Sequence, residues 1–316
     1  MATRSSRLDW LIFIALGFFW GSSYLFIKIG VDHGLQPFTL IMFRLLIGFV
    51  LLATVVAVAR EPLPRDPRMY AHLAVMGVVN IAIPFSLITF AEQSVDSSLA
   101  AVINGAVPLL VIVIAALFLK GETITMNRLA GLAVGFVGVA IIVGFDVTDL
   151  GSSSTIGELA LLGSTLSYAI GAVYARAHIH GLRPMIPAVF QVLFGLLTVS
   201  MLAFATERPL AVDWVPESIF AVVWLGLLGS GLAYLCFFRI LQHWGATRTS
   251  LVAYLLPVYG IALGALILSE PISLNTLAGT ALIIAGIALV NAKVGRRPLF
   301  ERRPVEAPVS ADPSRP

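Results

Sequence analysis

The sequence predicts an all-α integral membrane protein of ten transmembrane helices, arranged as two inverted five-helix repeats. Three observations predict it. The 316-residue chain is 59% hydrophobic and only 12% charged, with a mean hydropathy of +0.96. Soluble domains carry roughly 25% charged residues, and a soluble chain this apolar could not cover its own surface. The apolar residues also come in blocks of about 20, the length a helix needs to cross a bilayer. Finally, the second half echoes the first at an offset of about 148 residues.

The first span, 10–29, follows a short N-terminus, 1–9, carrying Arg4 and Arg7. Its apolar run is longer than the core of a secretion signal and lacks a clean A-x-A site, so it is read as a retained helix. The second, 36–59, opens at Pro37, holds Arg44, and ends at the proline-rich break Glu61-Pro62-Leu63-Pro64-Arg65-Asp66-Pro67. The third, 69–91, contains Asn80, Pro84, Ser86 and Thr89, and the fourth, 97–119, contains Asn104 and Pro108. The fifth, 127–145, follows Glu122 and carries the small-residue pair Gly131/Gly135. After Gly151-Ser152-Ser153-Ser154 come the sixth span, 156–176, with Tyr168, Tyr174 and Arg176, and the seventh, 184–204, with Gln191. The eighth, 217–239, holds Tyr234 and the single cysteine, Cys236. The ninth, 247–268, holds Tyr254, Pro257 and Gly260/Gly264, and the tenth is 272–292. The units expected are a first repeat over 10–145, a second over 146–293, and a polar, proline-rich, disordered tail over 294–316.

Orientation follows from Lys and Arg. With the N-terminus inside, 17 of the 20 basic residues fall on the cytoplasmic side, Arg208 alone falls outside, and Lys28 and Arg44 lie within spans. That asymmetry satisfies the positive-inside rule, supports the count of ten, and puts both termini in the cytoplasm. It also accounts for the pI near 9.2 without a nucleic-acid partner, since the basic residues are spread over loops.

The echo between the halves is carried by polar and helix-breaking residues. Glu122, Asn127, Leu129-Ala130-Gly131 and Gly138 recur as Glu270, Asn275, Leu277-Ala278-Gly279 and Gly286. Pro108 recurs as Pro257, and Phe43-Arg44 as Phe190-Gln191. An odd number of spans per repeat forces the second copy to face the opposite way across the membrane. Inverted repeats around a midplane site are the architecture of secondary transporters.

The segments Trp20 through Lys28, Pro37 through Arg44, Pro108 through Glu122, and Pro257 through Glu270 to Gly279 carry a resemblance to a known family. Over about residues 8–293 the chain resembles the EamA family of the drug/metabolite transporter (DMT) superfamily. The resemblance implies a ten-helix fold of two repeats in a cell (inner) membrane, often exporting amino acids or related metabolites. It does not name a substrate. Gln191 stands where the first repeat has Arg44, so any role of that arginine is not duplicated.

Arg44 is the leading substrate-binding candidate. It lies about eight residues, roughly 12 Å, into its span, where a charge costs about 2.5–3.5 kcal/mol and needs a partner or a wet cavity. It either holds a carboxylate or phosphate of the substrate or belongs to a structural ion pair. Lys28, with Trp20 before it, either contacts substrate or anchors at the interface. Asn80, Asn104, Gln191, Tyr234 and Tyr254 are polar groups within spans that bind substrate or tie helices together. Asn80 could also serve the carbonyl that Pro84 leaves unbonded. Trp20, Tyr24 and Tyr168 are candidates to line an aromatic pocket. Pro84, Pro108 and Pro257 are candidate helix breaks, and the equivalent pair Pro108 and Pro257 is expected to open backbone toward a central cavity. Glu122 and Glu270 read as capping or closing contacts. The glycine pairs read as close helix packing, with a dimer interface as the minor alternative.

No Asp or Glu lies mid-span, so a proton relay has no obvious carrier; Glu92 and Glu158 stand at span ends. With no HExxH, no GxSxG and a lone cysteine, no catalytic set, metal site or cofactor is expected. The expected partners are a small-molecule substrate and the lipid bilayer, as a monomer or homodimer. A channel or facilitator remains the alternative to a carrier, and a membrane-embedded enzyme a more remote one.

Overall fold

The structure is a computed structural model, and it describes residues 7–119, 125–143, 153–245 and 249–291. Glu122, the 146–152 connection and the 294–316 tail lie outside the described residues. Among the described residues the chain forms ten helices. They are α1 Arg7–Asp32, α2 Pro37–Val58, α3 Pro67–Ala91, α4 Ser97–Phe118 and α5 Met126–Val143, then α6 Ser153–His178, α7 Met185–Thr206, α8 Pro216–Trp244, α9 Ser250–Ile267 and α10 Leu274–Asn291.

Eight of these are long and apolar enough to cross a membrane; α5 and α10 are shorter apolar helices of 18 residues. Ends shift by a few residues from the sequence expectation; α1 runs from Arg7 to Asp32, and α8 runs on to Trp244, which places Arg239 within the helix rather than at its end. The starts follow local chemistry. Pro37, Pro67 and Pro216 occupy first helical positions, where a missing N–H loses no bond. Asp66 accepts from the Arg68 backbone N–H at 2.9 Å, a side-chain cap. Gly245 ends α8 at φ 76°, a left-handed conformation that glycine adopts without strain.

The core lies between α1, α2, α3 and α4 on one side and α6, α7 and α8 on the other, where Leu25, Leu40, Leu45, Ile81, Ile103, Leu161 and Leu225 are fully or almost fully buried. Outward-facing residues include Leu117, Phe118, Met201 and Leu266, each more than 70% exposed. In water such a surface would aggregate; against lipid tails it is the solvated face. The chain is therefore a multi-pass membrane protein.

The glycine pairs are used inside the chain. A methyl on Gly131 would come 2.5 Å from the Gly286 carbonyl oxygen, and one on Gly138 2.6 Å from that of Gly279. The backbones of α5 and α10 thus touch, as small-residue packing in membranes allows. Gly17 and Gly21 likewise admit Leu255 and Tyr259 of α9.

Candidate functional site

Two helices carry π segments, Val78–Ala82 in α3 and Leu225–Leu232 in α8, the third helix of each half. In α3 the cause is Pro84, which has no N–H for the Asn80 carbonyl. The ladder shifts instead, and the Ile83 N–H bonds the Val78 carbonyl. In α8 the segment holds Gly226, Gly229 and Gly231, which favour regular helix least among residues other than proline. Such insertions re-aim side chains and recur at functional sites.

Each π segment presses against the second helix of the opposite half, and the two contacts correspond. A methyl on Gly77 would come 3.0 Å from the Gln191 carbonyl oxygen; one on Gly226 would come 3.1 Å from that of Arg44. Gly195 abuts Ile81, and Gly48 abuts Ser230. Asn80 Nδ2 donates to Gln191 Oε1 at 3.1 Å, and Arg44 Nε donates to Ser230 Oγ at 3.2 Å. Arg44 and Gln191 are 147 residues apart, as are Gly48 and Gly195.

The correspondence fails in charge. The Asn80–Gln191 pair joins two neutral amides through one hydrogen bond, while Arg44 brings a cation with a single acceptor among the described residues. Arg44 is 3% exposed, and its guanidinium carbon stands 4.3 Å from the centroid of the Phe85 ring. Among the described residues it forms no ion pair. Only Nε, of five guanidinium N–H donors, has a hydrogen-bond acceptor there. The phenols of Tyr168, Tyr234 and Tyr24 and the carboxyl of Glu92 lie within its electrostatic reach. The arrangement can receive an anionic group between α2, α3 and α8, because a buried cation gains most from a desolvated counter-charge.

The other candidates divide into two groups. Tyr24 is buried beside Arg44, and Tyr234 meets Trp20 edge-on at 6.2 Å, so these rings form one wall of the region. Asn104 is occupied elsewhere. It donates to the Ala100 carbonyl at 3.1 Å and accepts from Ser164 Oγ at 2.9 Å, tying α4 to α6. Asn80 bonds Gln191 rather than the carbonyl freed by Pro84. Tyr254 sits in the 3-10 turn that opens α9, packed against Val102, Ile283 and their neighbours. α4 does break, at Ala106 before Pro108, but Gly105 there packs on Pro257. Pro257 therefore lies at a packed α4–α9 crossing, while the π segments lie in α3 and α8.

At one end of the bundle Lys28 Nζ donates to the Glu92 backbone carbonyl at 2.8 Å and pairs with Asp32 at 3.5 Å. Glu270 accepts from Ser97 N–H and Oγ at 2.8 and 2.7 Å and from Ser98 N–H at 3.0 Å, closing the loop before α10 onto the start of α4. Glu207, after α7, does the same for α2 through Phe38 and Thr39. Asp96 lies among these groups; partial burial and the Glu270 carboxylate push its carboxyl upward. At the opposite end Arg183 pairs with Glu61 at 2.9 Å, and Arg239 and His243 meet Asp9 at 3.5 and 2.9 Å. Phe85, Ser230 and the burial of Glu92 were not legible in sequence; the Gly226/Gly229/Gly231 cluster was the available sign of the α8 segment.

A model of the EamA-like transporter family matches residues 9–144 and, a second time, residues 155–292. The chain is 29% identical to the uncharacterized transporter YvbV of Bacillus subtilis over 92% of each chain. It is 28% identical to the uncharacterized inner membrane transporter YedA of Escherichia coli over 95% of each, and 25% identical to YoaV of B. subtilis over 90% of this chain and 97% of that one. A crystal structure 22% identical to it superposes with a TM-score of 0.67 over 92% of this chain and all of that one, which shows the shared fold.

Proposed function

The chain belongs to the EamA-like transporter family, and we propose that it is a secondary carrier that exports a small polar metabolite bearing an anionic group, an amino acid or a related compound. The observation that carries this reading is Arg44, a buried guanidinium with one neutral acceptor among the described residues, set between the π segment of α8 and Phe85 of α3. A substrate carboxylate would complete its hydrogen bonds, and the aromatic wall of Tyr24, Tyr234 and Trp20 would bound the remainder.

Alternating access is supported by the paired contacts of α2 with α8 and α7 with α3. Two copies inverted across the membrane, rocking about these contacts, would expose the region to each side in turn. The distribution of basic residues supports cytoplasmic termini. The end carrying Lys28, Glu207 and Glu270 then faces outward, and the end carrying Arg183 and Asp9 inward.

The test is exchange by purified protein in vesicles, screened with labelled amino acids, sugars and nucleosides. Unlabelled substrate inside should accelerate entry of label. Passage without such acceleration favours a channel and removes the carrier reading.

A further inference from the structure

Among the carboxylates at the end of the bundle that holds Lys28, Glu207 and Glu270 have a visible structural task. Glu207 and Glu270 each accept two backbone N–H groups and a hydroxyl. Glu92, immediately after the last residue of α3, differs. It is fully buried, and among the described residues neither carboxyl oxygen has a hydrogen-bond partner. Thr89, three residues earlier and so on the same helical face, is also fully buried, its hydroxyl without a hydrogen-bond partner among the described residues.

We propose that Glu92 is a proton-binding site through which this transporter couples substrate passage to proton movement; the coupling rests on the carrier reading above. A carboxylate removed from water without a donor is penalised, and a proton relieves the penalty. The charged groups that act on it are Lys28 and Asp32 from α1, Arg44 from α2, and Glu270 from the connection before α10, with Asp96 on its own connection facing Lys28 and Glu270. Removal from water is the largest influence and pushes the carboxyl well above the ordinary carboxylate range; Lys28 opposes it. Lys28 has its ammonium committed to the Glu92 backbone carbonyl and to Asp32, so it stabilises the ionised form without pairing to it. A shift that admits water or swings Lys28 onto the carboxyl releases the proton, and the return shift takes one up. One proton then moves per switch, with no bond made or broken beyond the O–H of the acid.

The test starts with full-length protein purified in detergent, titrated from acidic to alkaline pH while infrared difference spectra follow the carbonyl stretch of protonated carboxyls. A titrating band is expected that vanishes in Glu92→Gln, persists in Glu92→Asp, and moves its midpoint to higher pH in Lys28→Met. A spectrum in which no titrating band belongs to Glu92 overturns the site. In vesicles, an imposed pH gradient should drive accumulation of a labelled amino-acid mixture by the parent and fail to do so in Glu92→Gln. Accumulation that still follows the gradient in Glu92→Gln overturns the coupling. A band that titrates while no amino acid moves supports the proton site and removes the substrate reading instead.

Discussion

Arg44 and Gln191 occupy matching positions on α2 and α7, and each makes one side-chain hydrogen bond to the π segment of the helix opposite, Arg44 to Ser230 and Gln191 to Asn80. One geometry is thus built twice from different chemistry. The amide version pairs two neutral side chains, and the guanidinium version leaves four donors without an acceptor among the described residues.

Arg44→Gln should weaken transport more than it disturbs folding, since the variant has the residue the other half already uses. Loss of charge-assisted bonds of about 1.5–3 kcal/mol corresponds to roughly a ten- to hundredfold rise in KM. Arg44→Lys keeps the charge but not the planar fork and should fall between. Initial exchange rates against substrate concentration check this.

The Asn80–Gln191 bond should behave as a partly buried hydrogen-bonded pair. Asn80→Leu strands the Gln191 amide and should destabilise by about 1–3 kcal/mol. Adding Gln191→Leu should recover much of that loss, because both polar partners are then gone. Thermal unfolding of the single and double variants in detergent gives the coupling.

Glu270→Ala removes the cap of α4 at Ser97 and Ser98 and should lower stability by about 0.5–2 kcal/mol. Ser97→Ala, which leaves both backbone bonds, should lose less. A Glu270→Ala protein as stable as its parent would show that the contact holds nothing.

Gly131→Val should be far more harmful than a substitution on the lipid face, because the added carbon meets the Gly286 backbone, which cannot swing aside. Leu117→Val, on an exposed position, is the control. Yield of folded protein and its unfolding temperature report the difference.

Burial of Glu92 also fixes how stability depends on pH. Its folded value is raised, so its contribution is full below the unfolded value of about 4.3 and is lost as pH rises through the folded value. The parent should therefore lose thermal stability as pH climbs across that window, and Glu92→Gln should flatten the slope. Unfolding temperatures across the pH series decide it.

Much of this architecture could be read from residue patterns because hydropathy and charge act locally. The break at 61–67, the apolar block from Trp10 to Ile29 and the match of Leu129-Ala130-Gly131 with Leu277-Ala278-Gly279 need no tertiary information. Arg44 was visible for the same reason, as a charge at depth. What stayed hidden depends on register between helices. Pro84 announces a disturbance, but only packing against α7 shows that a π segment absorbs it. Pro108 and Pro257 look like a cavity until Gly105 is seen resting on Pro257. Glu92 reads as an ordinary interfacial acid, since sequence does not show that the surrounding helices bury it without a donor.

The central claim is that Arg44 meets an anionic group of a carried substrate. Counterflow in vesicles loaded with the amino-acid mixture, measured for the parent and for an equally well-folded Arg44→Gln, tests it most directly. The account predicts trans-acceleration by the parent and its loss, or a KM at least tenfold higher, in the variant. Identical kinetics in both proteins would contradict it.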